Sequence, residues 1–165
     1  MTIVIEGNKI TGVKEGFAKP QEGDTVIDLS TSTVMPGLMD MHVHLSGEIN
    51  KTSYSERFFM NDTDAAFRST VFARKTLQAG FTTVRDLGGP TVGLHKAIEE
   101  GDLIGPRIFS SGPFITQTSG HGDFRNYNEP HPAISGEVSL MERQGWLIMA
   151  DGPERVTMAV REALR

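Results

Sequence analysis

Two histidines separated by one residue, His42 and His44, are the residues whose type and spacing most directly suggest chemistry. They end an apolar run over residues 36–41. In a β-strand, side chains two apart point to the same face, so the two imidazoles should project together while Val43 points the other way. Neutral imidazole is a good ligand for zinc and related divalent ions. The spacing therefore predicts half of a metal site at the end of a buried strand.

The segments after this strand alternate between helix and strand patterns. They are a helix over about residues 62–78, a strand at 81–87, a helix at 92–100, a strand at 106–112 and a helix that opens near Asp151. The order β-α-β-α-β-loop-α predicts right-handed crossovers and a parallel sheet. The segment from Pro113 to about Gly152 is rich in Gly, Pro, His, Asn and Asp, and it is predicted to be one long loop of the kind that is usually either functional or disordered.

Local signals place the element ends. One of Asp62, Thr63 and Asp64 is expected to cap the first helix, and Asp151 is a candidate cap for the last. Short β-type runs at residues 3–5 and 9–13 predict a hairpin, and residues 26–29 predict a third strand. A small antiparallel element is therefore expected before position 33.

Composition narrows the classes of function. The chain has 165 residues, of which 38% are hydrophobic and 22% charged, which suits a globular domain with one sizeable core. A net charge of -5 and the lack of a Lys/Arg block argue against binding to nucleic acid or to a membrane surface. Without cysteine, a metal would use His, Asp, Glu or a modified Lys. No signal peptide or transmembrane run is present in the sequence, which predicts a cytoplasmic location.

Four segments carry a resemblance to a known family. Residues 36–44 resemble the first-strand signature of the amidohydrolase superfamily. Residues 79–89, 105–109 and 119–125 resemble the second βα unit, the third strand and the following loop of its metal-dependent dipeptidases and carboxypeptidases. This group includes Xaa-Pro dipeptidase-like enzymes, zinc-dependent Arg/Lys carboxypeptidases and amide hydrolases that act on ochratoxin-like substrates.

The resemblance implies an α/β fold in two parts. Residues 1–35 would be part of a small β-sandwich domain, and residues 36–165 would be the first three βα units of a (β/α)8 TIM barrel. Because such a barrel needs eight strands, we interpret the sequence as the N-terminal portion of a metal-dependent hydrolase. Open sheet edges lead us to expect homo-oligomers or pairing with the missing half of the barrel.

The resemblance also implies a centre that holds divalent metal, usually two Zn2+ ions in the complete enzyme. His42 and His44 match its first-strand metal ligands. The bridging lysine and the catalytic aspartate are expected beyond Arg165, so no catalytic residue is assigned in this chain. His121, between two glycines, would contact the substrate; the alternative is an exposed loop histidine.

Other polar residues leave alternatives open. Asp86, at the end of the second strand, would either orient a ligating imidazole or cap a turn. Asp123 and Arg125 would bind a charged group of the substrate or form an ion pair, and Ser46 would line the pocket or be an ordinary loop residue. Asp40 lies two residues before His42, so a regular strand would place both side chains on the same face. One interpretation is that Asp40 contacts the lower barrel layers or the small β domain.

The implied function is metal-dependent hydrolysis of a peptide or amide C–N bond through a metal-activated water in the complete enzyme. The substrate would be a small molecule, either a dipeptide or an N-acyl amino acid. One alternative is a truncated, non-catalytic barrel fragment or binding module. Another is a different amidohydrolase branch, such as a deacetylase, a deaminase or a cyclic amidase.

Overall fold

The chain folds into two compact units, Met1–Pro36 and Gly37–Arg165. The structure is a computed structural model that describes residues 1–48 and 50–164. Among these residues, no helix combines the length and the hydropathy that crossing a membrane requires. The assignment of residues 1–35 to a β-sandwich domain stays a prediction.

The first unit is built on a hairpin. Strands β1 (Thr2–Glu6) and β2 (Lys9–Lys14) pair antiparallel around the turn at residues 7–8, which confirms the predicted hairpin. The predicted third strand at residues 26–29 is wrong, because this segment forms no strand. Its apolar side chains Val26 and Ile27 are 64% and 76% exposed, so the described residues supply neither a partner strand nor a surface to cover them.

The second unit contains a three-stranded parallel sheet. Its strands are β3 (Leu38–Val43), β4 (Phe81–Asp86) and β5 (Arg107–Ser110), in the spatial order β3-β4-β5. A short helix α1 (Ser53–Phe59) and the long helix α2 (Asp62–Gln78) connect the first two strands, and α3 (Val92–Glu99) connects the next two. The predicted β-α-β-α-β order and mixed α/β class are confirmed.

Helix α2 begins with a reciprocal cap. The Asn61 side chain accepts a hydrogen bond from the Asp64 N–H at 2.9 Å, and the Asp64 carboxylate accepts one from the Asn61 N–H at 3.2 Å. Asn61 is therefore the cap, one residue before the positions that the sequence suggested. The prediction that Asp62, Thr63 or Asp64 is the cap is therefore wrong, and Asp64 takes the third helical position of a capping box.

One face of the sheet carries the main core. Buried residues Val84 and Ile108 of the central and third strands pack with Ala73 of α2 and Leu94 of α3. On the opposite face the large side chains are exposed among the described residues: Met39 (69%), Met41 (45%) and Phe109 (56%). The sequence predicts that the histidines end a buried strand, but the described residues cover only one face of the sheet.

The segment between Pro113 and Gly152 is largely ordered, so the prediction of one long loop is wrong. It contains strand β6 (Phe114–Thr116), the short helices α4 (Pro132–Ser135) and α5 (Leu140–Arg143), and strand β7 (Leu147–Met149). Strands β6 and β7 pair in parallel, and helix α6 (Gly152–Ala163) follows. The reason is a second core in which Leu147 and Met149 pack with Met141 and Trp146.

Two isoleucines, one within β5 and one just before it, provide a test of the main core. Replacing Ile108, 1% exposed in the main core, by alanine should lower the free energy of unfolding by about 2–5 kcal/mol, because it removes buried methyl groups and leaves a cavity. Urea denaturation would measure the change. The matched change Ile104→Ala, at a site 76% exposed, should cost less than about 0.5 kcal/mol. Equal losses for both variants would contradict the proposed position of the core.

Candidate metal centre

The two histidines of the first parallel strand lie side by side. The ring centroids of His42 and His44 are 5.4 Å apart, with an interplanar angle of 76°. Both residues are exposed, while Val43 between them packs toward the main core. The rings therefore converge as the two-residue spacing predicted.

The spacing of the rings suits a shared metal ion. Two imidazoles on one tetrahedral ion, with metal–nitrogen distances of about 2.0 Å, have ring centroids about 5 Å apart. Among residues 1–48 and 50–164, no cluster of three or more His, Asp or Glu side chains could hold a metal. His42 and His44 thus fit as two ligands of an ion, and they leave a tetrahedral set incomplete.

The strand that carries the histidines is irregular at this point. Asp40 pairs with Val84, and Val43 pairs with Asp86. Between these two pairs β3 therefore advances by three residues while β4 advances by two, so β3 contains one extra residue. The Asp40 carboxylate accepts a hydrogen bond from the His42 N–H at 2.9 Å. The Arg85 Nε–H donates to the Met41 carbonyl oxygen at 2.7 Å. Asp40 therefore contacts the histidine backbone, and Arg85 is a residue that the sequence did not single out.

Asp86 ends the second parallel strand as a buried carboxylate. It has no solvent exposure, and its Oδ1 accepts a hydrogen bond from the Leu45 N–H at 3.4 Å. Its Oδ2 lacks a hydrogen-bond partner among the described residues. Burial raises the pKa of Asp86 to about 6, and the nearby Thr91 side chain and the Leu45 N–H oppose this rise. Asp86 thus joins the end of β4 to the backbone just after His44.

The loop after the histidines packs tightly against the loop after β4. Ser46 is fully buried, and its Oγ lacks a hydrogen-bond partner among the described residues. Gly89 has a φ of +104°, and a Cβ atom at this position would lie 2.3 Å from the Ser46 Oγ. Only glycine satisfies both the backbone conformation and this close approach. The two loops therefore meet in a closely packed contact.

His121 lies on a loop that an internal ion pair holds. The Arg125 guanidinium donates to the Asp123 carboxylate at 2.7 Å and 2.9 Å, and the Ser119 N–H donates to the same carboxylate at 2.8 Å. Arg125 therefore holds the pKa of Asp123 down, at about 2. The two charged groups bind each other and the backbone of the same loop. This favours the ion-pair interpretation over binding of a charged substrate group. His121 is exposed, and its contact with a substrate stays a prediction.

A second polar contact ties this loop to the start of the last helix. The Asp151 carboxylate accepts a hydrogen bond from the Thr118 N–H at 2.9 Å and one from the Thr118 hydroxyl. The His131 Nε2 lies 3.4 Å from the same carboxylate, while the His131 Nδ1 accepts from the Ala133 N–H at 3.0 Å. The predicted capping role of Asp151 is wrong, because its side chain makes no cap hydrogen bond to α6.

Comparison with known proteins identifies both a matching family model and individual relatives. The family model described as Amidohydrolase family matches residues 33–165. Ochratoxinase from Aspergillus niger is 34% identical over 139 residues, which are 80% of this chain and 28% of that protein.

Solved structures match the chain more completely. A prolidase complexed with N-methylphosphonate-L-proline has a TM-score of 0.83 at 35% identity, over 98% of this chain and 38% of that chain. A Xaa-Pro dipeptidase with bound methionine has a TM-score of 0.77 at 34% identity, over 98% of this chain and 39% of that chain. The chain thus spans between 28% and 39% of the length of these relatives.

The buried carboxylate of Asp86 should leave a signature in the pH dependence of stability. Its folded-state pKa of about 6 exceeds the ordinary value of 3.8, so the folded state holds this proton more tightly than the unfolded state. The resulting stabilisation is complete below about pH 4 and is lost as the pH rises through about 6. Relative to Asp86→Asn, the wild-type free energy of unfolding should fall by about 2–3 kcal/mol between these pH values.

Urea denaturation of both proteins at several pH values would measure this difference. Asp123→Asn is the matched control, since the lowered pKa of Asp123 stabilises the fold above about pH 4 and this stabilisation is lost only as the pH falls toward about 2. A constant difference between wild type and Asp86→Asn from about pH 4 to about pH 7 would contradict a buried, proton-binding Asp86.

Proposed function

Because the chain belongs to the amidohydrolase family, we propose that it takes part in metal-dependent hydrolysis of a peptide or amide C–N bond. The observation that carries this proposal is the imidazole pair of His42 and His44, 5.4 Å apart at the carboxyl end of a parallel strand. Functional residues gather at that end of the strands in β/α folds. The hydrolase names of the relatives support the same class of reaction.

The proposed fold of the unit from Gly37 onward is the first three βα units of a (β/α)8 barrel. The β-α-β-α-β order supports it, and so does the likeness to the prolidase structure, which covers nearly all of this chain. The exposed apolar side chains Met39, Met41 and Phe109 on one sheet face are those that a barrel interior would enclose. Residues 1–35 would then belong to a small β-sandwich domain.

The proposed roles follow from the chemistry of the side chains. His42 and His44 each offer a neutral ring nitrogen to a divalent metal, which we expect to be zinc, with two ions in the complete centre. A bound metal ion supplies Lewis acidity toward the scissile carbonyl and lowers the pKa of water. His121, exposed on a loop that the Asp123–Arg125 pair holds, is proposed to contact the substrate.

The proposed substrate is a dipeptide or an N-acyl amino acid. The prolidase of known structure was complexed with an N-phosphonylated proline, and the Xaa-Pro dipeptidase contained methionine in its active site. Both ligands are an amino acid or a derivative of one. A substrate with an amino acid on the leaving side of the C–N bond is consistent with these ligands and with the amidohydrolase family.

Replacing His42 by alanine tests the proposal in the intact protein. The change should reduce the bound zinc by about one ion per chain and lower kcat/KM for Xaa-Pro dipeptides and N-acyl amino acids by roughly a thousandfold, because it removes one metal ligand. Metal analysis by mass spectrometry and a hydrolysis assay would measure the two effects. His95→Ala is the control, since His95 lies on α3 and its Nε2 is 3.3 Å from Glu99 on the same helix.

Three outcomes separate the possibilities. Loss of zinc and activity in His42→Ala but not in His95→Ala supports the proposal. Unchanged zinc content and turnover in His42→Ala would refute the ligand role of this residue. A wild-type protein that binds zinc but hydrolyses none of these substrates would favour a different branch of the family.

A further inference from the structure

The irregularity in β3 decides which face of the sheet the histidines occupy. Val84 and Asp86 of β4 are both buried on the helix-covered face, and their partners in β3 are Asp40 and Val43. In a regular strand, residues two apart share a face, so His42 would lie on the same face as Asp40. The extra residue between Asp40 and Val43 reverses this relation. Val43 then faces the core, and His42 and His44 project away from it.

Two side-chain hydrogen bonds hold the irregular segment. An extra residue interrupts the ladder and leaves backbone groups without their usual partners. The Asp40 Oδ1 accepts from the His42 N–H at 2.9 Å, and the Arg85 Nε–H donates to the Met41 carbonyl oxygen at 2.7 Å. One bond comes from within the strand and the other from the neighbouring strand. Together they satisfy a donor and an acceptor at the point where the pairing register shifts.

We propose that Asp40 and Arg85 are positioning residues that aim the imidazoles of His42 and His44 by holding the extra residue of β3 in place. The inference rests on the proposed metal-binding function of these histidines. Neither side chain needs to touch the metal or the substrate, because both act on the backbone that carries the rings. What each supplies is a hydrogen bond in a fixed place, and its charge is secondary.

The two side chains allow matched substitutions that separate hydrogen bonding from charge. Asp40→Asn keeps a carbonyl oxygen at the position of Oδ1, whereas Asp40→Leu keeps the shape and removes the acceptor. Arg85→Gln places an amide nitrogen donor at the same distance along the side chain as Nε, whereas Arg85→Met keeps the length and removes the donor. Each pair therefore differs mainly in the one hydrogen bond under test.

Binding of Co2+, a spectroscopic substitute for zinc, measures the effect without an activity assay. In the intact protein, Asp40→Leu and Arg85→Met should each raise the Kd for Co2+ roughly ten- to hundredfold and alter the visible absorption of the bound ion. Asp40→Asn and Arg85→Gln should stay within about threefold of wild type and keep its spectrum. The double variant Asp40→Leu with Arg85→Met should lose less than the product of the single effects, because both changes release the same segment.

Arg107→Met is the matched control. Arg107 is an exposed arginine on β5 and pairs with Thr83 of β4, two residues before Arg85. Its loss should leave Co2+ binding unchanged, whereas a fall equal to that of Arg85→Met would point to a general effect of positive charge. That result would overturn the inference for Arg85.

The outcomes distinguish the inference from the proposed function. If wild type binds no Co2+, or if His42→Ala binds it as well as wild type, the proposed metal function fails and the inference with it. If His42→Ala loses Co2+ while Asp40→Leu and Arg85→Met keep wild-type affinity and spectrum, the inference alone is overturned. If the Leu and Met variants fail to fold by circular dichroism, Asp40→Asn and Arg85→Gln decide. Lost binding in either folded variant refutes the hydrogen-bond role, and retained binding in both supports it.

Discussion

The pairing of β3 with β4 is the constraint on which the candidate site depends, and it contains two offsets of opposite sense. Leu38 pairs with Phe81 but Met39 with Thr83, so Thr82 is the extra residue at the first offset. The Thr82 side chain occupies the space that a Cβ atom on Gly37 would need, with a closest approach of 2.1 Å. The second offset lies on the other strand, between Asp40 and Val43, and this interval includes His42. The strands leave register and return to it within six residues each.

The return to register brings polar groups together at the carboxyl edge of the sheet. Asp86 is fully buried there, as are Ser46 and Thr91 on the loops above it. A buried carboxyl group with an unpaired oxygen opposes folding when it is charged. The main core beneath the edge, built on Val84 and Ile108, offsets that cost. Structures hold such unfavourable groups most often at functional sites, where the surrounding packing leaves them no alternative.

Sequence reasoning succeeded where local pattern decided the outcome. The order of helices and strands follows from apolar periodicity, and the convergence of His42 and His44 follows from a spacing of two. It failed where a long-range contact decided. The parity argument placed Asp40 with His42, because no local signal marks the extra residue that a neighbouring strand accommodates. Asp151 is a residue type that often caps helices and precedes α6 directly, yet its carboxylate binds Thr118, which lies far away in the sequence. The segment from Pro113 to Gly152 has a loop-like composition, and only the burial of Leu147 and Met149 against other segments makes it a pair of strands.

The parallel pair of β6 and β7 has a consequence for how such a chain can diversify. Residues 117–146 leave the pair and return to it, and their outer part is open to solvent, with Tyr127 fully exposed. Doubling the length of a flexible loop costs only about 0.6 kcal/mol of closure entropy. Insertions and deletions in the exposed outer part of this segment, around Tyr127, can therefore accumulate without shifting the strand that carries His42 and His44, whereas Met141 and Trp146 of the same segment are held in the second core. The fold therefore separates an exposed segment, in which changes of length cost little, from the strand β3, whose position is fixed by its pairing with β4.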